Sequence, residues 1–231
     1  MTFRTEVLDA RPAKLGGARR SRRAPAKVGN VDATRVLDFV LSIALLIFMA
    51  PLLLVICAAV KLQDGGPVFF AHERIRDQGR RFRCLKFRTM ASNAEARLAT
   101  LLSTCPTSRV EWERDHKLRN DPRITPMGGF LRRSSLDELP QLFNILKGDM
   151  SLVGPRPIVA AEISRYGRWY RHYCSVKPGL TGLWQVSGRN DVSYRRRVVL
   201  DVLYARHRSV LLYARILLKT IPTVLLRDGA Y

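Results

Sequence analysis

The sequence predicts an α+β fold that is mostly helical. A re-entrant membrane helix broken at Pro51 comes first, then a small β-hairpin, a cytosolic core and C-terminal amphipathic interfacial helices. Three observations predict it. No residue from Phe39 to Val60 is charged, a run long enough for a bilayer. Short β-type segments flank the turn residues Asp77-Gln78-Gly79. Elsewhere apolar residues recur at helical spacing between proline and glycine punctuation. The 231 residues suffice for one sizeable core with appendages.

The chain is strongly basic, with 40 Lys+Arg against 19 Asp+Glu and a net charge of +21. Such an excess calls for a polyanionic partner: nucleic acid, an anionic membrane surface or phosphorylated substrates. Cys57, Cys84, Cys105 and Cys174 are widely spaced without a C-x-x-C pair, which argues against a zinc cluster or a disulfide framework.

Residues 1–34 read as a disordered basic tail, including Arg19-Arg20-Ser21-Arg22-Arg23, suited to anionic lipid. Residues 35–62 form the membrane segment. Both of its flanks are basic, yet the positive-inside tendency can be satisfied on only one side by a spanning helix. A helix that breaks at Pro51 and returns through one leaflet resolves the conflict; a span with a proline kink is the competing reading. A nucleic-acid-binding protein has no use for the apolar run, so no nucleic-acid partner is expected.

Residues 63–231 form the remaining domain. Val68 to Ala71 and Arg81 to Phe87 are predicted strands, and Lys86 and Arg88 alternate on one face where they would grip phosphate oxygens. Helices follow at about 91–104 and 108–118, and Thr125-Pro126 opens another through Leu131. Pro140 belongs in a first helical turn, so the next helix starts at about Asp137, with Leu139, Leu142, Phe143 and Leu146 as its apolar face. Ser135 and Glu138 have capping-box spacing, which would make Glu138 a structural cap. Alternatively, two carboxylates among arginines at a helix N-terminus suit phosphate chemistry with a metal. Consecutive residues diverge by about 100° on a helix, which favours separate tasks for Asp137 and Glu138.

Ser151 to Pro157 is too rich in Gly and Pro for a helix and holds Arg156 between two prolines. Ile158 to Tyr173 reads as helical. Lys177 to Asn190 reads as a loop around a short strand, with Arg189 as an anion contact after Gly188. Residues 196–226 read as interfacial helices, with Arg208, Arg215 and Lys219 forming a cationic stripe. Packing onto the soluble core is the alternative. No G-x-G-x-x-G, P-loop or H-E-x-x-H is present, so dinucleotide, ATP-loop and zincin enzymes are not indicated.

From about Asp38 to Tyr231 the chain resembles the bacterial sugar transferases, monotopic polyprenyl-phosphate phosphoglycosyl transferases. The resemblance rests on Lys86-Phe87-Arg88-Thr89-Met90, Ser135-Leu136-Asp137-Glu138-Leu139-Pro140, Lys147-Gly148-Asp149-Met150-Ser151, Gly154-Pro155-Arg156-Pro157 and Pro178-Gly179-Leu180-Thr181-Gly182, in order. The C-terminal half, with Ser187-Gly188-Arg189-Asn190-Asp191-Val192-Ser193-Tyr194, looks most like undecaprenyl-phosphate galactose phosphotransferases of exopolysaccharide synthesis.

The resemblance implies an enzyme on the cytoplasmic face of the bacterial inner membrane. It would move a sugar 1-phosphate, galactose 1-phosphate foremost, from a UDP-sugar to undecaprenyl phosphate and release UMP. Glucose or an N-acetylated sugar is the alternative cargo. By the same resemblance Asp137 is the nucleophile, Glu138 binds Mg²⁺, and Lys86, Arg132, Arg156 and Arg189 match functional positions. A homo-oligomer is compatible with it. The family's membrane helix breaks at a proline usually preceded by serine; here Ala50 precedes Pro51. A carboxylate among these cations is expected to stay ionised at neutral pH.

Overall fold

The computed structural model describes residues 29–115, 118–188 and 192–225. It opens with helix α1, Gly29–Asp64. The hairpin of β1 (Phe69–Ile75) and β2 (Arg81–Phe87) follows, then helices α2 (Ala94–Thr104), α3 (Pro106–Asp115) and α4 (Pro126–Arg133). Next come α5 (Gln141–Lys147), β3 (Ser151–Val153), the short helices α6 (Ile163–Tyr166) and α7 (Tyr170–Tyr173), and β4 (Gly179–Thr181). Helices α8 (Tyr194–His207) and α9 (Val210–Leu225) close the described chain.

α1 is longer than expected. It starts at Gly29, inside the stretch read as tail, while residues 1–28 lie outside the described residues. It also runs on as one helix through Pro51 instead of parting there. A proline inside a helix removes one N–H donor and crowds the preceding turn, and it kinks as readily as it breaks. Ile47, Phe48, Leu54 and Val55, on either side of Pro51, are each at least 65% exposed. The helix is long and apolar enough to cross a membrane.

Both ends of α1 are tied to the rest of the protein. Near its start, Arg35 donates to the carbonyls of Ile145 (2.6 Å) and Leu146 (2.9 Å) in the last turn of α5. One turn later the buried Asp38 accepts from Ser151 Oγ (2.9 Å), Leu152 N (2.8 Å) and the Tyr213 hydroxyl (2.8 Å) through a single oxygen. Near its end, Asp64 is chelated by the Arg88 guanidinium and accepts from Ser92 N at 3.0 Å.

The predicted hairpin forms in antiparallel register, with Phe70 opposite Lys86 and Arg74 opposite Phe82. β1 extends to Ile75, beyond the predicted Ala71, because Gln78 and Gly79 take left-handed conformations that tighten the turn. α5 lies against β2: the Asn144 side chain accepts from Leu85 N and donates to Arg83 O, both at 2.9 Å. Leu142 and Ile145 are fully buried in the main core with Phe82, Met150 and Leu152, so Ile145 takes the place expected of Phe143, which is 49% exposed.

β3 and β4 pair in parallel, and glycine makes that approach possible. A Cβ on Gly179 would stand 2.0 Å from Gly154 N. Ile158 to Tyr173 is not one helix; Gly167, at φ 49° and ψ −129°, separates α6 from α7. The Tyr166 hydroxyl donates to the buried Asp201 of α8 at 2.7 Å, and burial pushes that carboxyl up to about 7. α8 packs on the soluble core through Val198, Val202 and Tyr204. α9 buries Tyr213 and Ile216 but leaves Leu211, Leu218 and Ile221 exposed beside Arg208, Arg215 and Lys219. Of the two helices, only α9 combines an unburied apolar face with the cationic stripe.

Candidate active site

The carboxylate pair sits differently from the sequence expectation. Leu136–Glu138 is a single 3₁₀ turn, and α5 starts only at Gln141, after Pro140. Ser135 is left-handed, at φ 57° and ψ 14°, and its side chain makes no capping bond. The capping box is therefore absent, because a cap needs an extended backbone that Ser135 does not have. Glu138 is left free for other work. A non-glycine residue in this conformation costs roughly 1–2 kcal/mol, stored one residue before the 3₁₀ turn that carries Asp137.

The two carboxylates converge instead of diverging. Lys86 Nζ, from the end of β2, lies 2.6 Å from Glu138 Oε1 and 3.3 Å from Asp137 Oδ2. The longer glutamate arm wraps back to the ammonium that the aspartate reaches directly. Burial is the largest influence on both acids, with opposite net results. It raises Asp137 despite Lys86, and the Glu138 charge adds to the rise. At Glu138, Lys86 and then Arg156 outweigh burial and hold the carboxyl below its usual range. The nearer ammonium explains the split. At Asp137 burial thus prevails over the neighbouring cations.

The remaining candidates divide. Arg132, in the last turn of α4, donates from Nε to Thr89 Oγ1 at 2.9 Å, close enough to Asp137 to feel its charge. Arg156 is exposed and acts electrostatically on Glu138 and Lys86. Arg88 is not brought to the pair. β2 ends at Phe87, so the alternation does not carry through, and Arg88 turns to Asp64 and the Val60 carbonyl. Arg189 lies outside the described residues. Pro51 is remote from this chemistry, in the exposed middle of α1.

A small cavity adjoins Lys86 and Glu138, lined also by Arg74, Gln141, Arg156 and Gln185. Three of these lining residues, Arg74, Gln141 and Gln185, escaped sequence reasoning. Arg74 had a readable signal: counted from the tight turn, it pairs with Phe82 and shares the face of Cys84 and Lys86. Gln141 follows Glu138 by one helical turn. Gln185 had no local signal, because only the β3–β4 pairing brings its loop here.

The donor set suits a hard divalent cation. Magnesium binds through one or two carboxylates plus substrate phosphate oxygens, without a dedicated protein cage. Asp137 and Glu138 supply two such carboxylates, and no group of three His, Cys, Asp or Glu side chains occurs among the described residues.

Known proteins resemble the chain over most of its length. The profile described as "Bacterial sugar transferase" matches residues 30–227. The chain is 52% identical over 206 residues to a protein of Salmonella typhimurium named undecaprenyl-phosphate galactose phosphotransferase, covering 89% of this chain and 43% of the relative. It is 50% identical over 206 residues to the UDP-galactose-lipid carrier transferase of Erwinia amylovora, covering 89% of this chain and 43% of that one. The exopolysaccharide production protein ExoY of Sinorhizobium fredii is 47% identical over 204 residues, 88% of this chain and 90% of its own. The chain thus spans under half the length of the first two relatives and nearly the whole of the third.

Proposed function

Because the chain belongs to the bacterial sugar transferase family, we propose that it transfers a sugar 1-phosphate from a UDP-sugar to undecaprenyl phosphate and releases UMP. Galactose 1-phosphate is the favoured cargo, supported by the names of relatives at 50–52% identity. The observation that carries the reaction is the Asp137–Lys86–Glu138 cluster, in which one acid is made more basic and the other is held ionised.

Asp137 Oδ2 attacks the sugar-bearing phosphorus. The bond from that phosphorus to the bridging oxygen breaks, UMP leaves, and an aspartyl phosphosugar remains. An oxygen of undecaprenyl phosphate then attacks the same phosphorus, the bond to Asp137 breaks, and the free carboxylate returns. Lys86 orients Asp137 and offsets charge building on the transferred group; Arg132 does the same from the Asp137 side and Arg156 from the Glu138 side. Mg²⁺, when bound by Glu138 with Asp137 beside it, would supply Lewis-acid neutralisation of the diphosphate.

The acceptor is a lipid, and α1 is read as re-entrant at the cytoplasmic face of the inner membrane. Support comes from its two anchors, Asp38 and Asp64, bonded to the same folded body. A straight helix rises about 39 Å between those positions, which in a transverse span would put them on opposite sides of the bilayer. The exposed apolar and cationic side chains of α9 fit the headgroup zone of anionic lipid.

Membranes containing the protein are to be incubated with UDP-galactose, UDP-glucose and UDP-N-acetylated sugars, and UMP measured. Release that requires undecaprenyl phosphate for multiple turnover and is fastest with UDP-galactose is expected. No release with any donor overturns the proposal.

A further inference from the structure

The described residues contain six buried side-chain N or O atoms without a hydrogen-bond partner, and four of them fall between Trp184 and Arg197: Trp184 Nε1, Gln185 Oε1, Tyr194 OH and Arg197 Nε. The Arg197 guanidinium lies over the Trp184 ring, 4.0 Å from its centroid, and also faces Tyr194 at 5.4 Å. Buried polar groups are normally satisfied, so four orphans in one neighbourhood call for a cause.

Gln185 ties this neighbourhood to the chemistry, since it lines the cavity shared with Lys86, Glu138 and Arg156. Its orientation is fixed. Nε2 donates to the Leu180 carbonyl at 3.0 Å, and a flipped amide would set oxygen against oxygen. The group left over is an acceptor, so its partner must be a donor.

Position along the site selects which part of the donor substrate this is. Asp137 meets Lys86 outside the lining of the cavity that Lys86 and Glu138 share with Arg156 and Gln185. In phosphoryl transfer the leaving group departs roughly opposite the attacking oxygen. With Asp137 attacking from outside that cavity, the departing nucleotide points into it, toward Arg156 and Gln185.

We propose that Trp184, Gln185 and Arg197 form the nucleoside pocket, with Gln185 Oε1 accepting the imide N–H of uracil and Trp184 Nε1 donating to a base carbonyl. An acceptor and a donor on adjacent residues match an imide N–H flanked by carbonyls. Cytosine presents a lone pair where uracil presents that N–H, so it meets Gln185 with two acceptors face to face. Arg197, beyond Arg156, carries positive charge toward the nucleotide phosphate. This rests on the transfer reaction proposed above, and it assigns base selection to residues outside the carboxylate cluster.

The test uses the full chain in bilayer discs with Asp137→Asn, so that binding is not followed by turnover, and equilibrium dialysis of UMP and CMP. UMP is expected to bind about a hundredfold more tightly than CMP, the scale on which a site built for one hydrogen-bonding pattern rejects another. Gln185→Leu should cut that preference at least tenfold or so, and Trp184→Phe, which keeps the ring beneath Arg197, should cut it as well. Neither should change the rate ratio of UDP-galactose to UDP-glucose in the Asp137 enzyme. A UMP-to-CMP ratio near one, or one that both variants leave intact, overturns the pocket. So does a Gln185→Leu effect on sugar ratio instead of base ratio, which would place the sugar there. Uracil-selective binding without UMP release from any UDP-sugar would instead leave the pocket standing and sink the transfer reaction.

Discussion

Lys86 makes its shorter contact with Glu138, 2.6 Å against 3.3 Å to Asp137, so the ammonium favours the acid assigned to the metal over the acid assigned to attack. Replacing it separates the two roles. Lys86→Met leaves two neighbouring carboxylates without their shared cation, which should cost about 3 kcal/mol in stability. It should also move the acid limb of the activity profile to higher pH, because Asp137 loses the ammonium that opposes its burial. Thermal unfolding and initial rates from pH 5 to 8 check both. An unmoved acid limb would separate Lys86 from the titration of Asp137.

Asp137→Asn should abolish UMP release and raise the melting temperature at pH 7. The sign follows from burial. Asp137 is raised in the folded protein, so its ionisation weakens the fold as pH climbs from about 4, the unfolded value, through the raised one. Asparagine does not ionise. UMP release comparable to wild type would end the nucleophile assignment.

Glu138→Gln should abolish the magnesium response of turnover and lower the melting temperature at pH 7, because the carboxylate that Lys86 and Arg156 hold ionised is lost, although no cap is lost with it. Ser135→Ala makes the complementary case. Loss of a true cap costs typically about 1 kcal/mol, but this serine caps nothing, and a change within about 0.5 kcal/mol is expected. A larger loss in chemical denaturation would restore the capping box.

Asp201 gives the clearest pH dependence of stability. Its carboxyl is pushed up to about 7 by burial, while the unfolded chain titrates near 4. Stability from this group is fully present below about 4, declines as pH rises through that window, and levels off above 7. Asp201→Asn keeps an acceptor for the Tyr166 hydroxyl and should flatten the curve between pH 5 and 8. The difference is on the order of 4 kcal/mol at most.

Topology has its own measurement. Single cysteines in the tail, at residue 10, and in the hairpin turn, at residue 78, should label from the same, cytoplasmic side. Labelling from opposite sides would establish a span.

What could be read from the sequence was local. Thr125-Pro126 does begin α4, with the Thr125 side chain accepting from Gly128 N, because an N-cap followed by proline specifies a helix start without outside help. The β-hairpin was legible for the same reason. Ser135 failed because the spacing of a capping box says nothing about backbone sign, which the surrounding packing decides. Arg88 failed because a charged partner twenty-four positions earlier, Asp64, outcompetes strand alternation. The motif singled out Asp137 and Glu138, but their convergence on Lys86 depends on β2 packing beside the 3₁₀ turn, a long-range contact with no local signature. Gln185 and Arg74 were hidden by the same long-range assembly.

Asp38 and Tyr213 are hydrogen-bonded across 175 positions of sequence, which has a consequence for how the protein is made. Asp38 leaves the ribosome 175 residues before the Tyr213 hydroxyl that bonds its buried carboxylate. At about 5–20 residues per second, Asp38 waits roughly 9–35 s for that hydroxyl. During that interval the acid, which directly precedes the apolar stretch, has at most the Ser151 and Leu152 donors. A ribosome stalled before Tyr213 would leave α1 with its contacts to α5, β3 and Arg88 but without the hydroxyl that completes the Asp38 site.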